Sequence, residues 1–443
     1  MQSEMVVPQV QCIARQGAES QNPLNWGWVE ASVWTERMLA ALGNGVKGGK
    51  WFSLIDKVYD RRTLEAAWRR VAANKGAAGI DRMSVKRFNA KKDFYLQELE
   101  KDLQKGQYRP EAVRRVYIPK GKGQSRPLGI PTVKDRVVQA ALKIVLEPIF
   151  EREFLPTSFG FRPGLGCKDA LRRVDYLLKK GNTWVVDADL KSYFDTIPHK
   201  QLLERFKEKV SDSRVISLVE SFLNQDIMED MERWTPAAGT PQGAVLSPLL
   251  ANLYLHPFDA MMTETRHEVV RYADDFVIFC QSKAEAEAIL TEVQQWTKKN
   301  GLTLHPDKTH IGNCLEKGQG FEFLGYLFEA GHRYVRKKSL MALRDRIRQK
   351  TKRTCGMSVE QIVEELNPSL IGWFGYFKHA RSTTFKGVDG FVRRRLRAVL
   401  RKQTKRPGQG TAWSDKLSWS NAFFAKLGLF TMNEAWIRAS QSR

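Results

Sequence analysis

The run Arg271-Tyr272-Ala273-Asp274-Asp275-Phe276-Val277-Ile278-Phe279-Cys280, entered through Val269 and Val270, restricts the fold more than any other stretch of the chain. Two short β-rich runs flank a small residue and two acids, which reads as a β-hairpin with Asp274 and Asp275 at its tip. The exit run is apolar on both faces, so the hairpin is expected to be covered on both sides. Adjacent carboxylates at the mouth of a buried hairpin repel each other, and a divalent cation is the usual reason such a pair is tolerated. Alone, the run could also be an acidic surface turn; the rest of the chain argues against that.

A second acid-bearing strand lies upstream. Thr183-Trp184-Val185-Val186 ends in Asp187-Ala188-Asp189-Leu190-Lys191-Ser192-Tyr193-Phe194-Asp195. An acid at a strand's carboxyl end beside an acid-tipped hairpin is how a two-metal site is built, with cations about 4 Å apart activating a hydroxyl and neutralising a leaving pyrophosphate. Alternation places Asp187 and Asp189 on one face, and spacing does not choose between them. Asp195 is expected to cap or orient the helix that starts near His199.

The balance of 72 Lys and Arg against 49 Asp and Glu gives a net charge of +23, which makes nucleic acid the first candidate partner. An anionic membrane surface is the alternative, but no apolar run approaches the roughly 18 residues of a spanning helix. Five scattered cysteines (Cys12, Cys167, Cys280, Cys314, Cys355) match neither a disulfide framework nor a zinc site. With no signal-peptide pattern at Met1-Gln2-Ser3-Glu4, the expected location is cytoplasmic. A chain of 443 residues has room for two or three domains.

Residues 1–50 read as a leader that packs on the helices after it or touches RNA. A glycine-punctuated loop at residues 74–81 sets backbone amides beside Lys75, a place for a phosphate or a plain helix–helix turn. Residues 113–119 alternate as a strand, residues 120–125 turn, and Arg126-Pro127-Leu128-Gly129-Ile130-Pro131 returns. Lys120, Lys122 and Arg126 make this hairpin a polyphosphate clamp or a solvated tip. An apolar helix is expected over 134–150, then the aromatic, glycine-rich Ser158-Phe159-Gly160-Phe161-Arg162-Pro163-Gly164. Gly239-Thr240-Pro241-Gln242-Gly243 joins a turn to an apolar helix, presenting Gln242 at a loop edge. Residues 302–309 are expected to close the sheet, and residues 321–326 to add a strand. From Arg333 onward cations dominate, most densely in the helix 391–402, where like charges repel without a counter-polyanion.

The order Asp189…Phe194, Thr240-Pro241-Gln242-Gly243, Tyr272-Ala273-Asp274-Asp275, Leu304…Lys308, Phe323-Leu324-Gly325-Tyr326 resembles the palm motifs of reverse transcriptases. Residues 74–81, 126–131 and 158–164 resemble additional fingers motifs of the bacterial group II intron-encoded class. Ile371-Gly372-Trp373-Phe374-Gly375-Tyr376-Phe377 with the helix after it is similar to that class's maturase (thumb, or X) domain. The resemblance spans roughly residues 51–440. It implies an α+β right-hand polymerase with helical fingers and an antiparallel-sheet palm over 51–330, and a basic α-helical thumb/maturase domain over 331–443.

The resemblance implies roles residue by residue. Asp189, Asp274 and Asp275, with the Leu190 carbonyl, would hold two Mg²⁺ ions; Phe194, five residues on, selects Asp189 over Asp187. Phe194 would reject a ribose 2′-OH, making dNTPs the substrate, while Lys120 and Arg126 hold the triphosphate and Gln242 lines the nucleotide pocket. Lys308 would stand by the leaving pyrophosphate. Tyr272, Gly243 and Arg162 would follow primer and template, and Lys75, Arg393, Arg394, Arg397 and Arg401 would meet RNA. The implied activity is RNA-directed DNA synthesis by a maturase that binds its own intron RNA, assists splicing and copies the intron into a DNA target during mobility. No cysteine pair of a C-terminal endonuclease domain follows Cys355, so the primer is expected from elsewhere. The rival readings are a splicing factor with a decayed polymerase and a reverse transcriptase with no intron partner.

Overall fold

The computed structural model describes residues 26–121, 124–229, 232–354 and 356–441. Trp34, 1% exposed, donates its indole N–H to the Ile144 carbonyl and packs edge-on to Trp51. Thr35 then caps the helix Glu36–Asn44 by accepting the Met38 amide. Residues 26–50 of the expected leader therefore join the core of the helices after them; residues 1–25 lie outside the described residues.

Helices Arg61–Ala73 and Lys92–Lys105 pack around Val133–Glu151. The last starts where the Thr132 hydroxyl accepts the Asp135 amide and is buried on nearly every side, the mark of an interior helix. Strand β1 (Val113–Gly121) pairs antiparallel with β2 (Gln124–Ile130), Arg115 opposite Gly129. Arg114 and Arg136 donate to the Ala78 and Ala77 carbonyls of the 74–81 loop, each at 2.6 Å. The loop is thus anchored through its carbonyls, with Lys75 left exposed.

Strand β3 (Trp184–Asp189) follows helix Cys167–Lys179. Strands β4 (Ile227–Glu229) and β5 (Glu232–Trp234) extend the first sheet to the order β2-β1-β4-β5. Strands β6 (Glu268–Tyr272), β7 (Asp275–Cys280) and β8 (His310–Asn313) join β3 in an antiparallel palm sheet of order β6-β7-β3-β8. Residues 302–309, expected to close this sheet, do not form its strand: Leu304 makes one isolated bridge to Leu190, and β8 closes instead. Pro306 has no N–H to give a ladder there. Asp195 is likewise not a cap: Pro198 precedes the helix His199–Lys207, and no side chain caps it.

Strands β9 (Phe321–Phe323), β10 (Tyr326–Glu329) and β11 (His332–Val335) form a small antiparallel sheet ahead of helices Lys337–Lys350, Val359–Phe377, Ser382–Gln403 and Met432–Gln441. Val185, Val270, Val277 and Phe279 on one face of the palm sheet share a core with Leu343, Ile362, Leu366, Val392 and Leu396 of these helices. Val186, Ala188, Phe276, Ile278 and Cys280 on the other face belong to the fingers core. The result is an α+β right hand. Among the described residues no helix is long and apolar enough to cross a membrane.

The fingers bury one titrating group. Asp135, fully buried, accepts from the Tyr108 hydroxyl at 2.5 Å and from the Gln225 amide at 3.1 Å. Burial outweighs these hydrogen bonds and pushes its carboxyl up to about 6. The folded state therefore holds this proton more tightly than the unfolded chain, and the associated stability is lost as pH rises from about 4 through 6. Asp135→Asn keeps the acceptor for Tyr108 without the charge. Its melting temperature relative to wild type should rise between pH 5 and 7, by the equivalent of about 1 kcal/mol; a difference independent of pH would refute the account.

Candidate active site

Antiparallel pairing of β3 with β7 sets Asp189 opposite Asp275, and the β6–β7 turn adds Asp274. Ala273 in that turn has φ 62°, which an L-residue adopts only when held there. Burial first, then the charges of Asp187, Asp189 and Asp274, pushes the Asp275 carboxyl well above the usual range, and Arg336 opposes this. Asp274 is raised mainly by burial, with Asp189 adding to it and Lys308 and Arg271 working against it. The Lys308 ammonium is paired with Asp189. Asp187 accepts the Glu322 amide at 3.3 Å and faces His310 Nδ1 at 3.9 Å. Burial raises its carboxyl to about 6, with His310 opposing.

As the side chains stand, no three His, Cys, Asp or Glu groups among the described residues are gathered around one ion position. The donor set nonetheless fits a hard divalent cation: carboxylate oxygens whose mutual repulsion a cation would relieve. One oxygen of Asp189, Oδ2, is held by Lys308. Leu190, at the exit of β3, bridges Leu304, while the Asp189 carbonyl accepts the His305 amide at 2.8 Å.

The turn after β3 and the 239–243 loop are tied together. The Thr240 amide donates to the Phe194 carbonyl (2.6 Å) and the Gly239 amide to Ile197 (2.8 Å). The Gln242 side-chain amide donates to Asp195 at 3.1 Å, and the Gln242 backbone carbonyl accepts the Gly129 amide of β2 at 2.7 Å. Gly243 has φ 107°, and a Cβ there would meet the Gly129 carbonyl, so this crossing requires glycine. Phe194 packs edge-on to Phe161, 6.4 Å between ring centres. Phe161 follows Gly160, which lies flush against Ala273, so Phe194 stands beside the acid-tipped turn. Arg126 is exposed on β2; the Lys120 side chain lies outside the described residues.

Tyr272 is half-buried, and burial, with the nearby Cys167 thiol adding to it, pushes its hydroxyl above the usual range. Arg162, expected along primer and template, is instead locked into the protein. It forks onto Glu151 at 2.9 and 2.7 Å and donates to the carbonyls of Leu155, Ser158 and Phe154. A guanidinium with its donors so engaged presents little to a phosphate.

Two thumb arginines also differ from expectation. Arg397 is buried, donating to the Trp419 carbonyl at 2.9 Å over the Phe424 ring. Arg401 Nη1 donates to both oxygens of the buried Asp415, at 2.6 and 2.7 Å. Both lie on the inward side of helix Ser382–Gln403, where internal acceptors compensate their desolvation. Arg393 and Arg394, with Lys416, line an open cavity of about 700 Å³. Sequence reading missed Phe161, and it missed Gln139, whose side-chain oxygen accepts the Val245 amide at 2.8 Å and steadies the segment after Gly243. A glutamine inside an otherwise apolar helix was the available signal.

Arg401→Ala strands the Asp415 carboxylate and should destabilise the protein by about 3 kcal/mol in denaturant titrations. Arg394→Ala should leave stability unchanged and lower the slope of log RNA affinity against log salt by about 0.7–1. The reverse pattern would mean the two arginines have been misassigned.

Residues 118–328 match the family model "Reverse transcriptase (RNA-dependent DNA polymerase)", and residues 340–418 match "Group II intron, maturase-specific domain". The chain is similar to Protein YkfC of Escherichia coli, 35% identical over 317 residues, 62% of this chain and 81% of that one. It is also similar to the group II intron-encoded protein LtrA of Lactococcus lactis, 37% identical over 203 residues, 45% of this chain and 33% of that one. The putative COX1/OXI3 intron 2 protein of Saccharomyces cerevisiae is 25% identical over 405 residues, 77% of this chain and 46% of that one. The chain thus spans most of the first relative's length and a third to a half of the other two. A polymerase domain followed by a maturase domain places this chain in the family of group II intron-encoded reverse transcriptase/maturases, RNA-directed DNA polymerases that depend on a divalent metal.

Proposed function

We propose that this chain copies RNA into DNA at Asp189, Asp274 and Asp275, which hold two Mg²⁺ ions with help from the Leu190 carbonyl. The observation that carries this is the β3–β7 register, which gathers three acids at one sheet end beside Lys308. When bound, the ions would activate the primer hydroxyl and offset charge on the triphosphate. Lys308 neutralises the leaving pyrophosphate and hands it a proton, its partner Asp189 being free to exchange it. Arg126 and Lys120 hold the triphosphate from the fingers hairpin. Phe194, braced by Phe161, closes the space a 2′-OH would need, and Gln242 lines the same pocket. Tyr272 and Gly243 border primer and template.

The RNA is the intron that encodes the chain, bound through Lys75, Arg393 and Arg394 among other surface cations. The net charge of +23 supports this partner. The thumb, residues 331–443, assists splicing, and the fingers and palm, residues 51–330, later copy the intron at its DNA target. The cysteines Cys167, Cys280 and Cys314 are free thiols, which fits a reducing cytoplasm.

Primer extension on an RNA template with Mg²⁺ and dNTPs tests the reading. Wild type should extend the primer, and Asp275→Ala should abolish synthesis while RNA binding and splicing survive. Retained synthesis in Asp275→Ala would refute the site; no synthesis by wild type would leave a splicing cofactor. Phe194→Ala should raise ribonucleotide incorporation relative to deoxynucleotide by about tenfold or more. An unchanged sugar preference would remove Phe194 from that role.

A further inference from the structure

We propose that Arg271, Asp259 and Asn252 form a positioning relay that fixes the Ala273–Asp274 turn, and so sets where the Asp274 carboxylate stands. The proposal rests on the polymerase reading above and adds residues that no part of it uses. Arg271 and Asp259 are both 0% exposed. Arg271 Nε donates to Asp259 Oδ1 at 2.7 Å and Nη2 to Oδ2 at 2.5 Å. Nη1 turns the other way, donating to Asn252 Oδ1 at 3.1 Å and to the Ala273 carbonyl at 2.9 Å. Asn252 Nδ2 in turn donates to the Gly160 carbonyl at 2.8 Å.

A buried ion pair is a poor stabiliser, because desolvation cancels most of its attraction and an apolar pair of like volume does as well. This one does something an apolar pair cannot do. It clamps the carbonyl of Ala273, the residue whose left-handed backbone swings Asp274 into place. The clamp reaches further than the turn. Arg271 exchanges backbone hydrogen bonds with the fingers segment, its amide donating to Thr157 and its carbonyl accepting from Phe159, each at 2.9 Å. Gly160 lies so close to the Ala273 amide that any Cβ would collide with it. The segment 158–164 therefore acts as a wall against which the turn is pressed, and Asn252 fastens that wall to the same guanidinium. Asp259 and Asn252 both come from the apolar helix Ser247–Glu264, where each is a polar residue amid buried aliphatics.

The guanidinium fork is what the geometry requires. A lysine keeps the charge but has a single point of donation, and it cannot grip Asp259 twice while reaching both Asn252 and Ala273. Arg271→Lys and Asn252→Ala in the full chain therefore test the relay. Three readouts are compared with wild type: Mn²⁺ binding to the protein alone, followed by electron paramagnetic resonance of the free ion; primer-extension kcat and dNTP KM; and thermal melting. Both variants should melt cooperatively, bind Mn²⁺ about tenfold more weakly, and lose about tenfold or more in kcat with KM for dNTP nearly unchanged, as when groups that orient metal ligands are lost. A folded variant with wild-type Mn²⁺ affinity and kcat, or one in which KM alone rises, would overturn the relay. Should Arg271→Lys fail to fold, Asn252→Ala, which leaves the Arg271–Asp259 pair intact, decides the matter. Should wild type not extend primers, the polymerase reading fails by itself, and Mn²⁺ affinity still tests the relay.

Discussion

The register between β3 and β7 is the constraint on which the palm depends. Residues 185, 187 and 189 face one way and residues 186 and 188 the other, and both directions lead into a packed core. A slip of one residue would exchange the two sets. Val186 and Ala188 would then leave the fingers core, and Asp187 would be driven into it. Because both faces are buried, neither strand has a solvent side to absorb the error. The same fact that makes the sheet rigid fixes Asp189 against Asp275 across the ladder.

That rigidity extends into the thumb. The palm face carrying Val277 and Phe279 shares its core with the helices after residue 336, and the β9–β11 sheet stitches the seam. Tyr326 donates to the Tyr376 carbonyl at 2.7 Å, and Tyr376 donates to the Leu324 carbonyl at 2.8 Å. Arg333 pairs with Asp175 of helix Cys167–Lys179 at 2.6 Å. Leu324 and Gly325 thus act as a joint between sheet and thumb, a structural part for a stretch, Phe323-Leu324-Gly325-Tyr326, that holds no reacting group.

Much of this was legible in the sequence because it rests on short-range pattern. Two acids between apolar β runs can hardly be anything but a hairpin tip, and the order of short motifs defined the hand. What was not legible is which way a long cation points. Arg162, Arg397 and Arg401 sit in runs that read as nucleic-acid contacts, yet each meets a buried acceptor far away in sequence or on a neighbouring turn. Periodicity records helix phase and cannot record that partner. The closing strand was misplaced for a related reason: residues 302–309 are apolar enough for a strand, but Pro306 and the His305 amide bonded to Asp189 keep them at the exit of β3. Asp195 was assigned to a helix start, although the nearer donor in space is Gln242.

The cations around the acid cluster divide into two kinds, and burial makes the division. Arg271 and Asp259 exclude water entirely, so breaking either partner leaves an uncompensated charge in the core, and the pair behaves as a fixed strut. Lys308 is half exposed and its partner Asp189 partly so, at 52% and 21% of the side chain. Pairs of that exposure are worth little in water and exchange readily. The turn that carries Asp274 is therefore held by a cation that cannot leave, while Asp189 is screened by one that can. The site proposed for these acids, which would take up divalent ions and release pyrophosphate on every cycle, calls for both: immovable backbone geometry behind the carboxylates, and a replaceable positive charge in front of them.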